Sequence, residues 1–457
     1  MNIKRLPLCA ALLALACFLT ACGQIGIIGG ADGPTTIIVG GDNSNAAETV
    51  PDAAEDAAAI GGADLEEGAE IEPPPEPAPL TLAVLSGPWA EAIKAELPVF
   101  EEANLAVCTV RELSGDELHD ALAQGGDGYD LVMVHSANMP EFRDAGVLAN
   151  LSALGYKADE DIVPAVTEIC SDGAAVILAP WYANASVLLC NKNSLLASGS
   201  SVDQLQSLES LLAVCKAAKK RGEIGFAYHE SFQDRITLDF LPVLRSFDGW
   251  FLDYEGKPSI YTKKFQDAVN FFLDLTATGK SVPNGEFVSA IDDGKAAVGF
   301  IRSDAYALSA KSAATYAYFP GAATRGGEPH SAGTCTVWGW GVPVHSQNPE
   351  LAERLLEYLV NPNIERKALS SGLSPCRYSI LQDEEIRKEY PHYGKLCAAL
   401  ENSRYVPAVT QWPQMCDILG EELWKVMAGR KKVTECLEDA QSRIESLLSQ
   451  SPATGNS

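Results

Sequence analysis

Asp130-Leu131-Val132-Met133-Val134-His135-Ser136-Ala137-Asn138-Met139-Pro140-Glu141-Phe142 is the stretch that decides the fold. An apolar run ends in small polar residues and gives way to a helix that leads to Gly146-Val147-Leu148 and Asn150-Leu151. Upstream, residues 80–86 form a short apolar run with strand character, and Pro88 opens a helical pattern to about Asn104. Residues 106–111 read as a second strand, 115–124 as a helix and 130–135 as a third strand. Strands alternating with helices at this spacing predict a parallel sheet with crossover helices.

Downstream, residues 174–178 and 186–190 read as further strands, after which the chain turns mainly helical. Val202, Leu205, Leu208, Leu211, Leu212 and Cys215 make one helical stripe; Phe265, Ala268, Phe272 and Leu275 make another. A third helix has Asn348 as N-cap, Pro349 at its first position, and Ala352, Leu355, Leu356 and Leu359 facing inward. The last, from about Thr434, carries Leu437, Ala440, Ile444 and Leu447. All four stripes are read as core.

The N-terminus has a different character. Lys4 and Arg5 precede an apolar run, 6–18, too short to cross a bilayer, which needs about 20 apolar residues. Leu19-Thr20-Ala21-Cys22-Gly23 then resembles the lipobox of bacterial lipoproteins, which implies a signal peptide over 1–21 and lipidation at Cys22. Residues 22–79 are expected to be a disordered tether: from 42 to 79 there are eleven Asp or Glu and no Lys or Arg, ending in a Pro-rich run. Inside it, Ile25-Gly26-Ile27-Ile28-Gly29-Gly30-Ala31-Asp32-Gly33-Pro34-Thr35 looks like a glycine-rich segment of sodium-translocating decarboxylase β-subunits. Those embed it among membrane helices and this chain offers none, so it is read as spacer. Residues 451–457 are expected to be a disordered tail.

At 457 residues, two lobes are expected. The net charge of −27 disfavours nucleic acid and anionic membrane surfaces as partners; contact with the membrane is expected through the lipid anchor only. Of twelve cysteines, Cys9 and Cys17 lie in the signal and Cys22 takes lipid. The remaining nine are scattered through apolar runs and read as mainly reduced core residues.

Enzymatic constellations are missing. The six histidines are isolated from one another, and none is paired at metal-ligand spacing. His229-Glu230-Ser231-Phe232-Gln233 lacks the second histidine of a zinc-protease helix, and Thr278-Gly279-Lys280-Ser281 lacks the first glycine of a phosphate-binding loop. No enzyme activity, metal or cofactor is expected.

The opening stretch, taken with four others in order, resembles the extracellular solute-binding proteins of ABC importers, specifically their large carbohydrate-binding group, the family 1 type. The others are Ala179-Pro180-Trp181-Tyr182-Ala183, Phe247-Asp248-Gly249-Trp250, Trp338-Gly339-Trp340-Gly341-Val342-Pro343, and Pro407 through Gln411-Trp412-Pro413-Gln414-Met415. The similarity covers about residues 80–450. It implies an α/β, two-lobed periplasmic-binding-protein-like fold of type II, each lobe a mainly parallel sheet flanked by helices, with the ligand cleft between. Lobe 1 would comprise 80–188 and 336–400, and lobe 2 would comprise 189–335 and 401–450. The implied partners are a carbohydrate or other small polar solute and ABC permease subunits, at the outer face of the cell membrane. A lipid-anchored surface enzyme or sensor built on the same lobes is the alternative.

Sugar capture also makes sense from the residue types. Aromatic rings cover apolar pyranose faces, while short amides and hydroxyls orient the hydroxyl rim. Trp89, Trp181, Tyr182, Trp250, Trp338, Trp340 and Trp412 each lie at an expected loop or strand end, and Ser136, Asn138 and Asn184 are the polar candidates. Against these stands a plain core role for each ring and a cap role for each polar residue. The maltodextrin-binding branch carries an aromatic pair where this chain has Leu419-Gly420, which argues against maltodextrin specificity.

Overall fold

The computed structural model describes residues 76–229, 233–303, 312–318 and 333–450. The lipobox, the glycine-rich segment, nearly all of the tether and the C-terminal tail lie outside the described residues.

Strand β1 (Ala78–Leu85) runs parallel to β2 (Ala106–Leu113) in unbroken register, and β3 (Leu131–His135) flanks β1 on its other side. The crossover helix Pro88–Asn104 starts on a proline and stops at Leu105, which takes a left-handed conformation. The next crossover helix, Gly115–Ala123, is fixed by a reciprocal capping box between Ser114 and Glu117. Because both faces of the sheet are covered, β3 is apolar along its length rather than alternating. This half matches the alternation read from sequence.

The following strands do not. Residues 171–176 form a short hairpin, β4 (Ser171–Asp172) with β5 (Ala175–Val176), and the sheet strand is β6 (Ala179–Asn191), buried at every position but Ser186. A proline inside a run ordinarily marks an edge or a break, which is why the sequence divides here. The structure accommodates Pro180 at a bulge: Tyr182 pairs with Trp338 and Pro180 with Gly339, leaving Trp181 as the extra residue.

The remaining strands are β7 (Ile224–His229), β8 (Lys280–Val282), β9 (Ala296–Arg302), β10 (Ala314–Ala317), β11 (Thr334–Gly341) and β12 (Arg404–Tyr405). The strands other than the β4/β5 hairpin form one sheet in the order β2-β1-β3-β11-β6-β9-β7-β8, with β10 beside β6 and β12 beside β11. Both ends of the sheet are parallel, whereas in its middle the pairs β3–β11, β11–β6 and β6–β9 are antiparallel. Residues 179–185 of β6 pair with β11, and 186–190 pair with β9.

Two hydrophobic cores result. The first gathers β1, β3, β11 and the helices Pro88–Asn104, Pro349–Leu359 and Tyr393–Glu401. The second gathers β7 and the helices Leu208–Lys220, Lys263–Thr276, Trp412–Met427 and Val433–Ser449. Strand β6 feeds both: Val187 and Leu189 enter the first, Leu188 and Cys190 the second.

Two local readings change, and a third stretch finds its place. The stripe from Val202 to Cys215 is broken, since Val202–Gln204 is a separate 3-10 turn and Ser207 caps a helix that begins at Leu208. Asn348 precedes its helix without capping it, because its side-chain amide donates instead to the Pro79 carbonyl at 3.0 Å. Thr278-Gly279-Lys280-Ser281 is the turn into β8, where a Cβ on Gly279 would lie 1.7 Å from the Phe226 carbonyl oxygen, so only glycine allows that approach. The nine cysteines are free thiols and all but Cys108 are buried; burial pushes Cys190, Cys335 and Cys436 up to about 12.

Candidate functional site

Between the two cores lies a cavity of about 800 Å³, within the size range of small-molecule sites. One wall comes from elements of the first core: Trp89 at the start of its helix, His135 ending β3, Asn138 just beyond, Asn184 in β6 and Thr336 in β11. The facing wall comes mostly from elements of the second: His229 ending β7, Asp239, Arg302 ending β9, and Trp412 and Asp417 on one helix, with Phe287 of the first core beside them.

Sheet register explains how these side chains meet. Asn184 sits directly across from Thr336, His135 pairs with Trp338, and Ser186 pairs with Arg302. Cross-strand partners place their Cβ atoms about 4.5–5.5 Å apart. A polar row therefore runs from His135 through Thr336 and Asn184 to Arg302, across the middle of the sheet.

The row is unfinished. Trp89 Nε1, His135 Nε2, both amide atoms of Asn184 and Thr336 Oγ1 are buried with no hydrogen-bond partner among the described residues. Each belongs to a residue that lines the cavity. A buried donor or acceptor left unpaired costs about 1–3 kcal/mol, and these five atoms lie together around one cavity.

The opposite wall is more complete. The His229 ring nitrogen Nδ1 and backbone N–H both reach Asp239, each at 2.8 Å, and the ring stacks on Phe287 with centroids 4.0 Å apart. On the first wall, burial and the nearby Arg302 charge push the His135 pKa down to about 3, so the ring is neutral.

The ten residues expected to contact ligand divide into two sets. Trp89, Asn138, Asn184 and Trp412 line the cavity. Trp89 stacks on Tyr182 with centroids 5.5 Å apart and planes within 2°, and a Cβ at Gly87 (φ 135°) would press on its ring at 3.1 Å. Trp412 is backed by Trp250, 6.5 Å away between centroids, and the guanidinium groups of Arg245 and Arg404 each lie 5.2 Å from the Trp250 ring centroid.

The other six residues stand behind the wall. Trp181, Tyr182 and Trp340 are at most 1% exposed, a correction of their expected place against ligand. The bulge is the cause, because it turns two successive aromatics of β6 inward, where Trp181 meets both Tyr182 and Trp340. Trp338 is wedged between His135 and Tyr182, and Trp250 supports Trp412; neither lines the cavity. Ser136 faces a second cavity, of about 770 Å³, and its Oγ accepts from the Val337 N–H at 3.0 Å.

His135, Thr336, Arg302 and the His229–Asp239 pair were not singled out from sequence. His135 stands inside the opening stretch, but a search for paired histidines passes over a solitary one at a strand end. Leu419, where the maltodextrin branch has an aromatic, is fully buried in the second core.

Comparison with known proteins agrees with this architecture. Residues 83–364 match the family model described as "Bacterial extracellular solute-binding protein". A Deinococcus radiodurans protein named "Probable ABC transporter-binding protein" is 22% identical over 300 residues, spanning 62% of this chain and 71% of that one. Maltose-bound T. maritima MalE3 superposes with a TM-score of 0.68 at 20% identity, covering 81% of this chain and all of that one. An Agrobacterium radiobacter K84 ABC transporter solute-binding protein in complex with ribitol gives 0.66 at 20% identity, over 81% and 99% of the two chains. The fold is that of a two-lobed, periplasmic-type binding protein with its cleft between the lobes. The chain belongs to the bacterial extracellular solute-binding protein family.

Proposed function

We propose that this protein is a lipid-anchored binding component that captures a sugar or polyol in the cleft and delivers it to an ABC permease, without chemical change. The observation that carries this reading is the set of unpartnered buried polar atoms on Trp89, His135, Asn184 and Thr336 around one cavity. A solute dense in hydroxyl groups satisfies donors and acceptors together, and Trp89 and Trp412 supply ring surface for its C–H faces. Lobes made of 80–188 with 336–400, and of 189–335 with 401–450, would close over it, driven by contacts that exist only in the closed state.

Thermal denaturation of the full chain against a sugar and polyol panel that includes maltose and ribitol tests this. A ligand at 100 times its Kd adds about 2.7 kcal/mol of stability, an easily read shift. Asn184→Leu removes a buried amide with no partner, so this variant is expected to gain about 1–3 kcal/mol when unliganded and to lose the ligand-induced shift. A variant that is destabilised yet still responds fully would remove Asn184 from the site.

The anchor is tested separately. Cys22→Ser is expected to leave the protein unprocessed or released to the medium, read by fractionation. Recovery of a processed, membrane-bound Cys22→Ser protein would contradict lipidation at that residue.

A further inference from the structure

The unfinished polar row contains a histidine whose hydrogen-bonding sense is fixed by its backbone contact. The Ala137 backbone N–H donates to His135 Nδ1 at 3.4 Å, so that nitrogen presents its lone pair and the ring proton resides on Nε2. Nε2 is buried, has no partner among the described residues, and belongs to a cavity-lining residue. The edge of Trp338, 5.1 Å between centroids, packs against the ring and restricts its rotation. Asn184 and Thr336 can each donate or accept, so their polarity adapts to whatever arrives.

We propose that His135 is the specificity-determining donor of the cleft, its Nε2–H directed at an acceptor oxygen of the bound solute. This rests on the sugar-binding reading and refines it: the solute must present a hydroxyl, ring or carbonyl oxygen at this point. A solute lacking that oxygen leaves a buried N–H unpaired, which is how sites built around a hydrogen bond reject analogues. The neutral state follows from the surroundings. Burial disfavours the charged ring, and Arg302 from β9 brings a positive charge that acts in the same direction, holding its pKa down at about 3. The other titratable groups of the cavity wall are His229, Asp239, Cys416 and Asp417, all on the facing wall. His135 is therefore a donor at Nε2 throughout the physiological range.

The full chain labelled with ¹⁵N-histidine tests the tautomer without ligand, the His135 signal being the one absent from His135→Gln. The expected result is a neutral ring protonated on Nε2 from pH 5 to 8. A signal that titrates within that range, or that reports the proton on Nδ1, overturns the proposal. Calorimetric titration of ribitol and of maltose tests the role. For whichever of the two binds, His135→Phe is expected to weaken affinity about 10–100-fold, with His135→Gln, which keeps a donor, recovering part of the loss. Undiminished affinity in His135→Phe also overturns it. If neither ribitol nor maltose binds the native chain, the sugar reading fails there, and the imidazole signal alone decides on His135.

Discussion

Trp181→Ala is expected to cost about 3–5 kcal/mol of folding stability and to leave the ligand affinity of the folded protein within twofold. The ring is 1% exposed, lies 5.6 Å from Tyr182 and 5.7 Å from Trp340 between centroids, and no part of it lines the cavity. Truncation leaves a void among buried rings at the bulge, and how far the neighbours collapse into it sets the cost. Urea denaturation measures the stability, and calorimetry at a temperature where the variant is folded measures the affinity. Tenfold weaker binding with unchanged stability would return Trp181 to the ligand's path.

Arg377→Met is the other substitution with a large expected effect, again about 3–5 kcal/mol of stability. Arg377 is 1% exposed, and its Nε lies 3.0 Å from the carboxylate of Glu365, which is fully buried. It also bonds Asp159 and the Val360 carbonyl, tying three separated segments of the first core together. Burial pushes the Glu365 carboxyl from its ordinary 4.5 up to about 8, with Arg377 pulling the other way. A folded-state pKa above the unfolded one means that folding holds a proton between these limits, so this group's contribution falls as pH rises from about 4.5 to 8. Removing the cation raises the Glu365 pKa further and extends the decline to higher pH. Denaturation midpoints from pH 5 to 9 measure both effects. Glu365→Gln, which keeps a neutral polar group, is expected to cost far less, and a loss under about 1 kcal/mol for Arg377→Met would mean that water screens the pair.

What could be read from the sequence follows the range of the interactions involved. The strands β1 to β3 and their helices are local units with their own caps and periodicity, and they were legible within a few residues. Strand β6 was not, because Pro180 is a break by every local rule and is tolerated only through pairing with β11, more than 150 residues later. Trp89 and Trp412 line the cavity, whereas Trp181 and Trp340 are buried beside the bulge, a distinction that local sequence does not carry. Asn184 could be nominated from its place after two aromatics. His135 and Thr336 could not, since what distinguishes them is an absent partner, a property of the folded surroundings. The Arg377–Glu365 pair is equally silent in the sequence, where neither residue stands apart from other surface-type charges.

The continuity of β6 has a consequence for how the molecule moves. Two bodies joined by slack linkers behave like plates on a bearing, with no preferred angle. Here one strand contributes side chains to both cores and backbone hydrogen bonds to β11 and β9 in turn. Displacing one core against the other has to flex that strand, so the connection acts as a spring with a resting angle and a stiffness of its own. The strand changes partner from β11 to β9 between Ala185 and Ser186, which places the flexing there. On the proposed closing mechanism, affinity would be partly an elastic property, adjustable at the spring while the contacts in the cleft stay the same.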